Sequence, residues 1–175
     1  MILKMKVGLI GATGVGKTSV AARYVHSIFN ETYRTTIGVK IETVEVERHG
    51  RAVQLVIWDL SGEDEFQTVQ TSYLAGAACY VLVVDGTRRS TIDTGLMLAR
   101  RVRETSSAPF VVVVNKSDLV ASWEVEESDL HALQELAYAV VQTSARTGNG
   151  IEDAFELVVD AALEHIDPTR EAAWT

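Results

Sequence analysis

The residues best suited to chemistry begin at Gly11-Ala12-Thr13-Gly14-Val15-Gly16-Lys17-Thr18, a complete G-x-x-x-x-G-K-[ST] pattern directly after the apolar run Leu3 to Ile10. Glycines allow a tight turn and a close approach of backbone to an anion. Successive N–H groups and a helix N-terminus can then face the α- and β-phosphates of a nucleotide, with Lys17 supplying charge near the β/γ oxygens. Thr18 offers a hydroxyl to a divalent cation. Gly11-Ala12-Thr13-Gly14 also opens the glycine pattern of some dinucleotide-binding reductases. There the third glycine would fall at Lys17, whose long charged side chain opposes close helix-to-strand packing, and no convincing Tyr-x-x-x-Lys pair follows. A glycine-rich turn without a ligand leaves the ordered lysine and threonine unexplained.

A second constellation, Asp59-Leu60-Ser61-Gly62, follows the apolar run that ends at Trp58. A carboxylate there can hold Mg²⁺ opposite Thr18, while the Gly62 N–H can approach a γ-phosphate without side-chain obstruction. In isolation an aspartate at a strand end is more often a turn or helix cap, and its partnership with the glycine loop reverses that preference. Between the first helix and second strand, Phe29 to Gly38 is long enough to cross a nucleotide. Thr36 is its candidate metal and γ-phosphate ligand, the bland alternative being the first residue of a strand after an ordinary loop.

The base-selecting residues are expected at Asn115-Lys116-Ser117-Asp118, with Thr143-Ser144-Ala145-Arg146 beside them. Guanine presents an N1–H and a 2-amino group side by side, and the Asp118 carboxylate can accept both; adenine offers an acceptor and no amino group there. Each charge-assisted bond is worth roughly 1.5–3 kcal/mol, so losing the pair predicts roughly 10²- to 10⁴-fold discrimination. Asn115 can bridge base and backbone, the Lys116 stem can cover the ring, and the Ala145 N–H can reach O6. An ATP-using enzyme fits poorly, and a polar loop capped by Asp118 is the bland alternative.

The elements that must position these groups follow from periodicity. Apolar, β-branched runs predict strands at Leu3–Ile10, Val39–Val46, Val53–Trp58, Cys79–Val84, Phe110–Val114 and Ala139–Gln142. His49-Gly50 predicts an antiparallel hairpin of the second and third. Helices are expected at Lys17–Ser27, Glu65–Ala75, Thr91–Thr105, Asp129–Ala137 and Ile151–His165, where apolar positions recur at helical spacing. This is an α/β pattern, in which ligands bind beyond the carboxyl ends of the strands, where every motif above falls.

At 175 residues and 47% hydrophobic composition, one domain spanning residues 1–175 can bury its own core. Cys79 sits inside an apolar run and reads as a core thiol. No apolar stretch approaches the roughly 20 residues of a membrane helix, and no signal-cleavage pattern opens the chain, so a soluble intracellular location is expected. A net charge of −8 argues against bulk nucleic-acid binding.

The five motifs, Gly11 to Thr18, Thr35-Thr36-Ile37-Gly38, Trp58 to Glu63, Asn115 to Asp118 and Thr143 to Ala145, resemble in order and spacing those of the Ras superfamily, most closely its Rab-like branch. The resemblance covers nearly the whole chain. It implies the small GTPase, P-loop NTPase fold, a six-stranded mostly parallel sheet with one antiparallel strand and five flanking helices. It also implies a GTP/GDP switch requiring Mg²⁺ at Thr18, Thr36 and Asp59. The nucleotide set is then Gly11, Thr13, Gly14, Val15, Gly16, Lys17, Thr18, Ser19, Phe29, Tyr33, Thr36, Gly62, Asn115, Lys116, Asp118, Ser144, Ala145 and Arg146. Phe29 would pack on guanine, Tyr33 would close over phosphates, and Trp58 and Tyr73 would lie on the effector face. Hydrolysis would use Glu63, Thr36, Lys17 and Gly62. Effectors, exchange factors and GTPase-activating proteins would meet Asn30–Gly38 and Leu60–Tyr73.

Two features depart from that family's pattern. Glu63 stands where glutamine commonly orients the attacking water, and its charge lies near an anionic γ-phosphate, so position and protonation decide whether it helps or hinders. Slow intrinsic hydrolysis is expected, with a nonhydrolysing GTP/GDP-binding scaffold as the alternative, because Thr13 also adds bulk where an arginine finger would enter. The sequence ends at Ala172-Ala173-Trp174-Thr175 without prenylation cysteines, and Ile2 excludes N-myristoylation, so no intrinsic lipid anchor is expected. A divergent, cytoplasmic, monomeric protein is the expectation.

Overall fold

The computed structural model describes residues 2–27, 38–60 and 75–167. Six strands, β1 (Leu3–Ile10), β2 (Val39–Arg48), β3 (Arg51–Leu60), β4 (Cys79–Asp85), β5 (Phe110–Asn115) and β6 (Ala139–Gln142), form one sheet in the order β2-β3-β1-β4-β5-β6. β2 runs antiparallel to β3, and the remaining pairings are parallel. Helices α1 (Lys17–His26), α2 (Ser90–Thr105), α3 (Glu127–Gln134) and α4 (Ile151–Ile166) flank it. Four of the five expected helices are thus among the described residues. The fifth, Glu65–Ala75, lies outside them except for Ala75, which sits in a turn.

The sheet is covered on both faces, and strand composition shows why. β4 and β5 are apolar up to their last residues, Asp85 and Asn115, and every residue in both is buried, as a parallel sheet sandwiched by helices requires. Alternate side chains feed two cores. Val81, Val83, Val111 and Val113 pack with Val20 and Ala21 of α1 and Phe155 and Val158 of α4. Leu82, Val84, Val112 and Val114 pack with Ile92, Leu98 and Val102 of α2 and Leu133 of α3. Tyr24 stacks on Phe155 at 3.9 Å between ring centroids, tying α1 to α4. Cys79 is fully buried, and burial pushes its thiol up to about 12, so it is the inert core residue its context predicts.

Where boundaries differ from the sequence expectation, local chemistry explains the shift. β2 and β3 run to Arg48 and Arg51 because His49 (φ 51°) and Gly50 (φ 68°) close the hairpin with two left-handed residues, the geometry that matches strand twist. β3 also continues past Trp58: Asp59 pairs with Lys40 and Leu60 with Val39, so Leu60 is a buried strand residue rather than the start of a loop. α3 begins at Glu127 instead of Asp129 because the Asp129 carboxylate reaches back to accept the Glu126 N–H at 3.0 Å, closing the first turn two residues early.

β1 lies between β3 and β4, and the chain leaves it directly into α1. This is the strand-order reversal at which a doubly wound sheet opens a crevice. The carboxyl ends of β1, β3, β4, β5 and β6 converge there, carrying the loops that hold the candidate residues.

Candidate functional site

The loop after β1 forms the base of the site. Gly11, Gly14 and Gly16 have φ values of 146°, 74° and 103°, backbone conformations that side chains disfavour, so the glycines of the pattern are conformational requirements. At Gly16 a Cβ would stand 2.4 Å from the Asn115 Nδ2, within the space that the end of β5 occupies. Gly16 caps α1, whose first turn holds no acidic residue, leaving the positive end of the helix facing the loop. Lys17 is buried and its Nζ donates to the carbonyls of Gly11 (2.7 Å) and Ala12 (3.1 Å), folding its ammonium back over the cradle. Ser19 follows in the first turn of α1.

Thr18 and Asp59, assigned from separate motifs, are in contact. The Thr18 hydroxyl donates to Asp59 Oδ2. Asp59 is 1% exposed, and its Oδ1 has no hydrogen-bond partner among the described residues. Burial raises the Asp59 carboxyl above its ordinary value, against the opposing pull of the Thr18 hydroxyl and the Lys17 charge. A buried, half-satisfied carboxylate beside a hydroxyl is the hard-oxygen donor set that suits Mg²⁺.

The loop after β5, where base selection is expected, is tied to the loop after β1 by the side chains of Asn115 and Lys116. Asn115, 2% exposed, donates from Nδ2 to the Val15 carbonyl (3.1 Å), while its Oδ1 accepts from the Ala145 N–H (3.1 Å) and the Thr143 hydroxyl (3.3 Å). The Ala145 N–H, expected to reach a base O6, therefore already has a protein acceptor. Asp118 Oδ1 accepts from the Ser144 hydroxyl at 2.6 Å, and the Ser117 N–H donates to the Thr143 carbonyl, which holds the two base loops side by side. Ser144 and Ala145 are buried, whereas Arg146 is exposed. Lys116 adopts a left-handed φ of 71° and sends Nζ to Asp85 Oδ2 (2.6 Å) and the Gly14 carbonyl (3.2 Å).

Three contributors escaped the sequence reading. Asp85, the last residue of β4, is fully buried and is the hub of a network: Oδ1 accepts from the Thr87 N–H and hydroxyl, and Oδ2 from Lys116 and Arg88. Burial would raise its carboxyl, but the bonds from Lys116, Thr87 and Arg88 outweigh this and hold it below the ordinary value. Arg88 spans from Asp85 (Nε, 2.8 Å) to the Thr13 carbonyl (Nη2, 3.0 Å). Arg23 of α1 donates to the carbonyls of Ala145 and Arg146, holding the second base loop from behind. The signal for Asp85 was present: an acid closing an apolar parallel strand, as Asp59 does. Arg23 and Arg88 carry no such mark.

Thr13, Gly14, Val15, Lys17, Thr18, Asp59, Asn115, Lys116, Asp118, Ser144 and Ala145 are thus gathered at one end of the sheet. Phe29, Tyr33, Thr36, Gly62, Glu63 and Tyr73 lie outside the described residues, as do most of Asn30–Gly38 and Leu60–Tyr73. Trp58 lies on β3 with the Lys6 ammonium 4.1 Å from its ring centroid, opposite the half-exposed Ile41 of β2. No helix among the described residues is long and apolar enough to cross a membrane.

Comparison with known proteins covers most of the chain. A model of the Ras family matches residues 6–164. The Ras-related protein RABA2d of Arabidopsis thaliana is 34% identical over 164 residues, covering 92% of this chain and 75% of that protein. The Ras-related protein SEC4 of Saccharomyces cerevisiae is 30% identical over 168 residues, covering 95% and 78%. Ras-related protein Rab-13 of Canis lupus familiaris is 34% identical over 155 residues, covering 86% and 75%. With the family match, the relatives and the fold in agreement, the chain belongs to the Ras family of GTP-binding small GTPases, on its Rab-like side.

Proposed function

We propose that this chain is a Mg²⁺-dependent molecular switch that binds guanine nucleotide and hydrolyses GTP to GDP and phosphate. The observation that carries the reading is the Asn115 side chain, which bonds Val15 in the phosphate loop and Ala145 in the base loop at once. It ties the loop assigned to the phosphates to the two loops assigned to the base. Asp118, oriented by Ser144, accepts the guanine N1–H and 2-amino group, and the Ala145 N–H is shared between Asn115 and the base O6. Gly14 to Thr18 receive the phosphates through backbone N–H groups and Lys17. Mg²⁺, when bound, screens the phosphate charge and supplies Lewis acidity toward the γ-phosphoryl group.

In the hydrolytic step a water oxygen attacks the γ-phosphorus, the bond to the β,γ-bridging oxygen breaks, and GDP leaves as inorganic phosphate forms. Lys17 offsets charge on the leaving diphosphate, Thr18, Asp59 and Thr36 would hold the metal, and Gly62 and Glu63 are the residues assigned to the water. Thr36 and Gly62 sense the γ-phosphate, so hydrolysis releases the segments assigned to the switch, Asn30–Gly38 and Ser61–Tyr73, and changes what effectors, exchange factors and activating proteins bind there. Trp58 and Ile41 extend that surface.

A nonhydrolysing guanine-nucleotide module is the competing reading, favoured by Glu63 and Thr13. Phosphate release from the full chain under excess Mg²⁺-GTP separates the two: slow stoichiometric or catalytic release supports the switch, and GTP that stays intact over many hours supports the module. In single-turnover assays, an unchanged rate in Glu63→Ala removes Glu63 from the mechanism.

A further inference from the structure

Three consecutive carbonyls of the phosphate loop are held from behind by cationic or amide donors. The Thr13 carbonyl accepts from Arg88 Nη2 (3.0 Å), that of Gly14 from Lys116 Nζ (3.2 Å), and that of Val15 from Asn115 Nδ2 (3.1 Å). In a trans peptide the carbonyl and the following N–H point in opposite directions, so each of these bonds aims one N–H the other way. The N–H groups so aimed belong to Gly14, Val15 and Gly16. Asn115 and Lys116 belong to the base-selecting motif; Arg88 belongs to none.

We propose that Arg88 is a positioning residue for the β-phosphate: pinned by Asp85, its guanidinium clamps the Thr13 carbonyl and so presents the Gly14 N–H to the phosphate chain. The inference rests on the nucleotide-binding reading above and deepens it. Arg88 reaches the carboxylate with Nε and the carbonyl with Nη2, two separate nitrogens of one planar fork, so a lysine at position 88 would have to serve both acceptors from a single nitrogen on a different stem. The turn that carries it is fixed: the Gly86 N–H donates to the Asn115 carbonyl (2.9 Å), the Arg88 N–H to the Asp85 carbonyl (3.0 Å), and the Thr91 hydroxyl to the Arg88 carbonyl (2.8 Å). Asp85 serves Arg88 and Lys116 together, so two adjacent carbonyls answer to one buried carboxylate. The phosphate loop is preorganised by charge at its back as well as by glycine within it.

The clamp acts where the β-phosphate sits, ahead of α1, so it should separate diphosphate from monophosphate binding. Displacement of a fluorescent guanine nucleotide from the full chain in Mg²⁺, by GDP and by GMP, reads this directly. Arg88→Met keeps the stem and removes the donors; it is expected to weaken GDP about three- to tenfold, the scale of one partly exposed charge-assisted bond, and GMP less than about twofold. Arg88→Lys keeps the charge without the fork and is expected to recover less than half of the loss. Asp85→Asn releases both cations and is expected to lower the GDP-to-GMP affinity ratio further, with thermal melting reporting that the variant is folded. Equal losses for GDP and GMP, no loss for either, or full recovery in Arg88→Lys would each overturn the clamp while leaving the nucleotide reading intact. Failure of the unaltered chain to bind GDP would remove the nucleotide reading and the clamp with it.

Discussion

Asp59 combines near-complete burial, one oxygen bonded by Thr18 and one without a partner among the described residues. Its raised carboxyl, caused first by burial, means that keeping it ionised at neutral pH costs folding free energy. For a group raised in the folded state, stabilisation is greatest below the unfolded value near 4 and is lost as pH rises through the folded value. A cation at the bare oxygen reverses that cost. In the unaltered protein, chelation of Mg²⁺ is therefore expected to speed GDP release by about tenfold or more, the scale of a charge interaction in a partly desolvated site. In Asp59→Asn the ratio of rates with and without chelator should approach one, with the melting temperature of the metal-free protein unchanged or higher. A variant that keeps its full sensitivity to chelator would remove Asp59 from metal binding.

At the scale of elements, the β2–β3 hairpin is fastened to α4 far from the nucleotide loops. Arg48 donates to both Asp160 oxygens (2.8 and 2.7 Å) and to Glu156 (2.9 Å), and His49 bonds Asp160 at 2.9 Å. Burial opposes ionisation of Asp160, but the bonds from Arg48 and His49 prevail and hold its carboxyl below the ordinary range. A depressed carboxylate stabilises the fold above the unfolded value near 4, and that contribution disappears as pH falls through the lower folded value. Arg48→Ala is accordingly expected to cost about 1 kcal/mol at pH 7, a partly buried bidentate pair discounted for solvent screening, or about 2–4 °C in melting temperature. The difference from the unaltered protein should shrink as the melts are taken from pH 5 toward pH 3. A deficit that stays constant over that range would show that packing of the arginine stem, not the charge pair, fastens the hairpin.

Across the whole molecule, legibility in the sequence tracked how local the cause was. The six strands were readable because a sheet buried on both faces demands apolar runs such as Phe110–Val114. The hairpin was readable because two residues with left-handed backbone leave a short signature at His49-Gly50. The start of α3 was misjudged because a side chain three residues along, Asp129, closes its first turn. In the site, residues set by contiguous motifs were found, since spacing alone fixes their chemistry. Arg88 and Arg23 were not, because their roles arise only when β4 lies beside β1 and β5 and when α1 lies beside the loop after β6, whereas Asp85 carried a local mark, an acid closing an apolar strand. Residues whose work depends on tertiary neighbours leave no periodic trace.

The central claim is that Asp118 reads the guanine edge while the loop ahead of α1 holds the phosphates. The direct test is competition of GDP, IDP and ADP for the full chain in Mg²⁺, because inosine keeps the N1–H and lacks the 2-amino group. GDP should outbind IDP by roughly 10- to 100-fold, one charge-assisted bond, and ADP by roughly 10²- to 10⁴-fold, two such bonds. Equal affinity for the three nucleotides, or tighter binding of ADP, would contradict the account.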